Sequence, residues 1–382
     1  MAGPLRRLRV SVAGLFLFLA LVCFGAPAHA ELPDLTGQSV ILIDADTGTV
    51  LGEKAAREKR AIGSTTKIVT AILALEKRSL EDLVSTSESA PLAGGSEVGL
   101  GMGDQLTVRD LLYSLMVASA NDAAVVLAEN IGESVPSFAQ MMNDKAEQIG
   151  AKDSNFVNPH GLHDPNHYST AADLSLMAQY AMKNKVFREI VATKERPIAL
   201  PGAAAPRTMT NRNRLLWLYE PAIGIKTGFV KEAGYCLVAA AEKNGLTLIS
   251  VVLGAPTKAA SNEDSVKAFT YGFDSYARKQ FIRKGRTYGR IKIPFSRGKK
   301  LAVVAERSFS FLEGEGISLR RLTRVQKGLD LPVKKGEKLG SVSVWRDKTR
   351  LAEVDLVAER SLAAPSFGER VLAFLRAIFS GA

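Results

Sequence analysis

Between Thr66 and Glu76 the chain is apolar almost all round, with Ile68, Val69, Ala71, Ile72, Leu73 and Leu75 distributed over the faces of a helix of that length. A helix without a polar face must be enclosed by the rest of its domain. Strand signals stand on both sides of it. Val40-Ile41-Leu42-Ile43, the turn Asp44-Ala45-Asp46-Thr47-Gly48 and Thr49-Val50-Leu51 read as a β-hairpin before it. Tyr235 to Ala241 and Thr247 to Leu253 flank Lys243-Asn244-Gly245, an Asn-Gly hairpin turn, far after it. The intervening stretch has helical patterning. Thr107-Val108-Arg109-Asp110 resembles a capping box opening a helix through Met116. Phe138, Met142, Ala146 and Ile149 mark the core face of another, which follows Pro136 and stops at Gly150. A last helix carries Val266, Phe269, Phe273 and Tyr276 on one side. The order predicts an α/β (α+β) domain over residues 31–280, its antiparallel sheet assembled from both ends and a helical subdomain inserted between them.

Charge divides the chain at about Phe281. Residues 31–280 carry 25 Lys+Arg and 29 Asp+Glu, a net of −4, whereas residues 281–360 carry 20 and 9, a net of +11. Beyond the shift come short alternating runs separated by Gly, Lys and Asp turns: Arg290 to Ile293, Leu301 to Val304, Gly340 to Trp345 and Leu351 to Val357. They predict a small all-β domain, a sandwich, over residues 283–360. The chain's first thirty residues read as a signal peptide: Arg6, Arg7 and Arg9, an apolar run from Val10 to Phe24, then Ala28-His29-Ala30. Val22 before Cys23 is branched where a lipoprotein site needs a small residue. Removal of residues 1–30 takes three arginines and no acid, lowering the net charge from +11 to +8. It leaves Cys236 as the one cysteine, in an apolar stretch where it reads as a buried thiol. For an exported chain the basic module suits anionic lipid headgroups or acidic wall polymer, and no nucleic-acid partner is expected.

At the tail, Phe367, Val371, Phe374, Leu375 and Ile378 fall on one side at helical spacing, with Glu369, Arg370 and Arg376 away from them. A helix over 365–380 is too short for a hydrocarbon core of about 30 Å, so it is expected to lie in the membrane interface. Ala363-Ala364-Pro365-Ser366 reads as the linker to it.

Three elements carry chemistry. Ser64-Thr65-Thr66-Lys67 sets a hydroxyl and an amine three residues apart at the start of the buried helix. A chain this long should hold roughly one or two such pairs by chance, and a second, Ser296-Arg297-Gly298-Lys299, does occur in a turn of the basic domain. Ser119-Ala120-Asn121 lies in a link between helices, where taken singly it reads as a cap. Lys226-Thr227-Gly228 begins an apolar strand, where a cation, a hydroxyl and a glycine suit recognition of a carboxylate beside the backbone. No Cys/His or His/Glu cluster has zinc-ligand spacing, so neither metal nor other cofactor is expected.

In this order and spacing the elements resemble those of active-site serine penicillin-recognising enzymes. The chain resembles in particular the low-molecular-mass penicillin-binding proteins that act as serine-type D-alanyl-D-alanine carboxypeptidases. The resemblance takes in Phe156 to Leu162, Tyr168 to Leu174, Asn211-Arg212-Asn213, and Phe229 with Ala233-Gly234-Tyr235. It also covers the β-rich module and the terminal helix. Ile62-Gly63 stands where the family commonly has Pro-Ala, and Ile223 where it often has an acid. The fold it implies is the penicillin-recognising serine hydrolase fold, followed by an all-β domain and an amphipathic helix.

The resemblance implies that Ser64 attacks the penultimate D-Ala carbonyl of a peptidoglycan stem peptide, with Lys67 as base and Ser119 relaying a proton. Asn121 holds the peptide groups, while Lys226, Thr227 and Gly228 form the carboxylate end. The backbone N–H groups of Ser64 and Phe229 form the oxyanion hole. β-Lactam antibiotics are expected as covalent inhibitors. The implied location is periplasmic, with peripheral attachment to the outer face of the inner membrane. A structural, loop-ordering role falls to His160, and Asp173 braces a loop near the site. The nearest rival, a β-lactamase, carries Glu-x-x-Leu-Asn, and this chain has no Leu-Asn pair. A non-catalytic wall-binding protein would not need Ser64, Lys67, Ser119, Asn121 and Lys226 together.

Overall fold

The computed structural model describes residues 32–296, 298–314 and 318–379. The leader reading of residues 1–30 lies outside them, as do Arg297 of the second Ser-x-x-Lys pattern and the side chains of Phe374, Arg376 and Ile378.

The sheet of the first region has five antiparallel strands in the order Val50–Lys54, Ser39–Asp44, Leu246–Ala255, Gly234–Lys243, Ala222–Val230. The first hairpin thus docks on the last, with Val40 opposite Val252 and Leu42 opposite Ser250. Both faces are covered, which accounts for strands that lack a polar side. Ile41, Ile43, Val238, Ala240, Ile249 and Val251 pack with Ile68, Val69 and Ile72 of the central helix Lys67–Lys77. The alternate residues Leu42, Leu237, Ala239 and Leu248 pack with Ala268 and Phe269 of the helix Lys258–Ser275 on the opposite face. Lys67 through Ala74 are all buried, so the central helix is enclosed as its composition requires.

The inserted helices complete the enclosure. Thr107 Oγ1 accepts from Asp110 N at 3.1 Å and opens the helix Val108–Tyr113. The segment predicted to stay α-helical through Met116 instead widens into a π-turn over Ser114–Ala118 and ends with Ser119 in the left-handed region at φ 65°. The helices Asn121–Gly132, Val135–Ile149 and Ala171–Ala181 pack around the central one. Gly150 ends the second of these at φ 94°.

The C-terminal part is all-β, with a five-stranded antiparallel sheet in the order Thr287–Lys292, Lys300–Ala305, Thr349–Ala358, Lys338–Arg346, Arg320–Val325. Its core is Ile291, Leu301, Val303, Val342, Val344, Val354 and Leu356. A two-stranded ribbon, Tyr276–Ile282 with Phe309–Gly314, joins the two cores, for Tyr276 and Phe311 pack with Phe269 while Ile282 packs in the second. Tyr276 is therefore the first residue of a strand, not the last of a helix. The helix ends at Ser275, and the ring stays on the core side that its spacing indicated. From the same ribbon Arg278 Nη2 reaches the buried Asp44 carboxylate at 2.9 Å. The helix Phe367–Phe379 follows, with Ser366 N donating to Glu369 Oε2 at 2.8 Å and Ser366 Oγ accepting from Glu369 N at 3.4 Å. No helix among the described residues is long and apolar enough to cross a membrane.

Candidate active site

Ser64 sits in a 3₁₀ turn, Gly63–Thr66, that feeds directly into the central helix. Three hydroxyl and imidazole contacts pin the turn. Thr65 Oγ1 donates to the Ile62 carbonyl and Thr66 Oγ1 to the Gly63 carbonyl, each at 2.8 Å. His167 Nδ1 accepts from Val157 N at 3.2 Å, which makes Nε2 the protonated nitrogen, 2.8 Å from Thr66 Oγ1. The strand Ala222–Val230 passes against this turn. A Cβ on Gly63, which is at φ 53°, would stand 2.8 Å from Phe229 N, and one on Gly228 2.5 Å from the Ile62 carbonyl oxygen. The two glycines let the serine and the Phe229 backbone come together.

Lys67 Nζ lies 2.8 Å from Ser64 Oγ, 2.6 Å from Asn121 Oδ1 and 2.9 Å from the His160 carbonyl oxygen. The last two can only accept. A neutral amine has two N–H bonds and one lone pair, so with both hydrogens donated to these oxygens its lone pair is left for the serine hydroxyl. Burial drives the Lys67 pKa well below its usual 10.5, and Lys226 and Arg212 push the same way, while Asp122 opposes them. Neutral Lys67 is thus the form that the surroundings favour.

Lys226 Nζ donates to Ser119 Oγ at 2.9 Å and to the Thr227 carbonyl at 3.1 Å. Its side chain is 1% exposed, and burial, then Arg212 and Lys258, lower its pKa to about 7. Asn121 is fixed from its other end, Nδ2 donating to the Gly94 carbonyl at 2.6 Å. A cavity of about 270 Å³ opens here, lined by Ser64, Ser119, Thr227, Gly228 and Phe229 together with Ser96, Arg212, Tyr235, Cys236, Lys258 and Ser261. Lys67, Asn121 and Lys226 lie behind its wall, bonded to Ser64, to Lys67 and to Ser119 respectively. Ser296 belongs to a turn after Ile293 in the basic part and does not line it. The Phe229 ring is 54% exposed and rests on Tyr235 at 4.6 Å between centroids, so only its backbone faces the serine turn.

Three further residues, His167, Asp122 and Lys258, shape the site without having been legible as such. His167 braces the Ser64 turn through Thr66, a contact between distant segments that leaves no local pattern. Asp122 accepts from Val98, Gly99 and Leu100 N–H and holds the loop that carries Ser96. Arg212 and Lys258 bring cations to the cavity; Arg212 is within the Asn-Arg-Asn element, which was a signal, whereas Lys258 had none. His160 Nδ1 accepts from Leu162 N at 3.1 Å, and burial lowers its pKa to about 3. Asp173 accepts from Asp153 N and Ser154 Oγ, each at 2.7 Å. The Cys236 thiol is free and buried, and burial raises its pKa to about 11. Among the described residues no three His, Cys, Asp or Glu side chains gather as a metal site.

A buried amine aimed at a serine hydroxyl, on an antiparallel sheet with an inserted helical region, defines a serine hydrolase of the penicillin-recognising class. The D-alanyl-D-alanine carboxypeptidase family model matches residues 26–257, and the model of the penicillin-binding protein 5 C-terminal domain matches residues 276–364. The chain belongs to the D-alanyl-D-alanine carboxypeptidase family and is a serine-type carboxypeptidase. It is 32% identical to the D-alanyl-D-alanine carboxypeptidase DacC of Escherichia coli, over 97% of this chain and 95% of that one. To the D-alanyl-D-alanine carboxypeptidase of Streptomyces sp. K15 it is 37% identical, over 70% and 99%. Among solved structures, penicillin-binding protein 5 from Haemophilus influenzae superposes with a TM-score of 0.66 at 28% identity, over 87% of this chain and 99% of that one.

Proposed function

We propose that Ser64 is the nucleophile of a carboxypeptidase that removes the C-terminal D-alanine from peptidoglycan stem peptides. The placement of Lys67, with both amine hydrogens donated elsewhere and its lone pair left for Ser64, is the observation that carries the assignment. Ser64 Oγ bonds to the carbonyl carbon of the penultimate D-Ala as its proton passes to Lys67. The N–H groups of Ser64 and Phe229 donate to the oxyanion. The peptide C–N bond then breaks as Ser119 delivers its proton to the leaving amine and takes the one held by Lys67, so that D-alanine departs and Lys67 is neutral again. Water attacks the acyl ester and restores the Ser64 hydroxyl. Asn121 holds the peptide groups, and Lys226 keeps Ser119 in place beside Thr227 and Gly228 at the carboxylate end. A β-lactam acylates the same oxygen, its ring opening in place of peptide cleavage.

The work is assigned to residues 31–280, with residues 283–360 as a separate all-β domain. Export by a signal peptide over residues 1–30 and a periplasmic location follow from the basic-apolar-small pattern. Residues 365–380 attach the enzyme peripherally to the outer face of the inner membrane. Phe367, Val371, Leu372 and Leu375 support this, being exposed on the helix.

The test is labelling with a fluorescent penicillin beside release of D-alanine from a stem pentapeptide. The native protein should do both, and Ser64→Ala neither, with its circular dichroism unchanged. Labelling that persists in Ser64→Ala, or that maps to Ser296, overturns the assignment.

A further inference from the structure

A cleft separate from the Ser64 cavity opens where the basic module meets the first region. It encloses about 490 Å³, within the range of pockets that take small ligands, and it shares no lining residue with the Ser64 cavity. Three elements form it. The turn of the first hairpin brings Asp46 and Thr49, the ribbon brings Phe309 and Phe311, and the strands Lys338–Arg346 and Thr349–Ala358 bring Arg346 and Leu351. Phe309 and Phe311 stand two residues apart on one strand, so their rings share a face, with centroids 6.4 Å apart. Phe311 is buried, Phe309 and Leu351 are half-buried, and together they make an apolar floor.

Opposite charges face this floor from the two modules. Arg278, from the ribbon, reaches the buried Asp44 at 2.9 Å and also pairs with Asp46 Oδ2, leaving Asp46 Oδ1 without a partner among the described residues. Thr47 Oγ1 gives its hydrogen to Asp44 Oδ2 at 2.6 Å, so in its 2.8 Å contact with Thr49 the Thr49 hydroxyl is the donor. Thr49 Oγ1 is left to accept. The first region thus presents acceptors and a negative charge. From the basic module comes Arg346, half-buried, which among the described residues forms neither an ion pair nor a side-chain hydrogen bond, although Asp46 lines the same cleft. A half-buried guanidinium without an acceptor is stabilised when a carboxylate arrives.

We propose that this cleft binds a short peptide with both ends free. Its ammonium sits against Asp46 and Thr49, its carboxylate pairs with Arg346, and an apolar side chain lies on Phe309 and Leu351. An acidic sugar would satisfy Arg346 but bring no cation to Asp46. Because the two ends are held by different modules, the bound peptide clasps the basic module to the first region.

The experiment is calorimetric titration of the full chain, acylated beforehand with benzylpenicillin to close the Ser64 cavity, with Ala-Leu and Ala-Leu-Ala in their L and D forms. At least one of these unblocked peptides should bind. Acetylating its N-terminus or amidating its C-terminus should each weaken binding roughly tenfold or more, what a hydrogen bond to a charged group is worth. Blocking the peptide leaves the protein untouched, so this arm is independent of folding. Asp46→Asn should remove the effect of acetylation and Arg346→Met that of amidation, as coupled partners require. Arg320→Ala, in the same basic sheet but outside the cleft, should change nothing. N-acetylmuramic acid should bind more weakly than the unblocked peptide. Binding that ignores the peptide ends, or that survives Arg346→Met and Asp46→Asn unchanged, overturns the proposal. So does tighter binding of the sugar acid, or no binding by any of the peptides. If penicillin does not acylate the chain, the reading of Ser64 falls, and the same variants still decide the cleft.

Discussion

At the scale of single residues, two buried lysines govern the site, and burial is what sets both of them. Burial, and after it Lys226, lowers the Lys67 pKa well below its usual 10.5, which favours the neutral amine that the proposed role as base requires. Lys226, near 7, is the residue whose charge changes around neutral pH. His160 and His167 do not share in this, since burial holds them at about 3 and about 4. A pH dependence of acylation around 7 is therefore expected to follow Lys226. The stability linkage has a definite sign. Between about 7 and the ordinary 10.5 the unfolded chain keeps the Lys226 proton and the folded chain does not, so stability rises with pH across that window. Below about 7 both states bind the proton, and the full penalty of burying the cation stays in place. Lys226→Met should raise the stability at pH 7 by roughly 0.5–2 kcal/mol, as is common when a strained functional group is removed. It should also flatten the rise between pH 7 and 9, while acylation falls steeply. Urea unfolding at the two pH values, beside penicillin labelling, checks both halves. A variant less stable than the native protein at pH 7 would show that the hydrogen bonds of Lys226 outweigh its desolvation.

Elements place these residues, and they differ in how far the sequence announced them. The central helix was legible because a run with no polar face has few other solutions, and the Asn244-Gly245 turn because both residues take positive φ, 52° and 74°. Arg320–Val325 was not, for five of its six residues are exposed and no apolar alternation marks it as a strand. It is defined by its pairing to Lys338–Arg346 alone. The π-turn that sets Ser119 at φ 65° was equally hidden, because the local pattern suits an α-helix and the widening serves the site. The three motifs were legible as chemistry, but the approach of the Phe229 backbone to the serine turn, on which the proposed oxyanion hole depends, is between backbones. Only Gly63 and Gly228 hint at it. Phe229→Ala should therefore leave kcat/KM within about threefold of native, since the ring is mostly in solvent, whereas Phe229→Pro removes the donor and should lower it by roughly 10²–10³. Gly63→Ala should act as Phe229→Pro does and also destabilise by about 1–3 kcal/mol, from a side chain forced to positive φ against Phe229 N. Acylation rates with a chromogenic β-lactam distinguish the three, with thermal unfolding as the control for folding.

Over the whole molecule, charge and apolar surface are segregated along the chain. The cavity lies within residues 31–280, whose net charge is −4, while residues 281–360 hold a net +11 and end next to a helix with exposed apolar side chains. Thirteen residues, Phe367–Phe379, make about 20 Å of helix, which suits the interface of a bilayer and not its span. On the proposed attachment an apolar helix face would favour any lipid surface and a basic neighbouring module an anionic one, and the two respond differently to salt. Burial of Phe367, Val371, Leu372 and Leu375 in lipid is indifferent to it, and attraction of the basic module is screened within about 10 Å at 0.1 M. Full-length protein lacking residues 1–30 should therefore sediment with vesicles containing phosphatidylglycerol at low salt, and partly persist there at 0.5 M. A chain ending at Ala364 should lose the salt-resistant fraction and retain, at most, the salt-sensitive one. Phe367→Glu with Leu375→Glu should behave like the shortened chain, since a charge on the apolar face prevents its burial. All three should cleave a soluble D-Ala-D-Ala peptide at the native rate, because no residue beyond Ser261 lines the cavity. Loss of that activity in the shortened chain would mean that the tail supports the site, and salt-resistant sedimentation without the tail would move the membrane contact to the basic module.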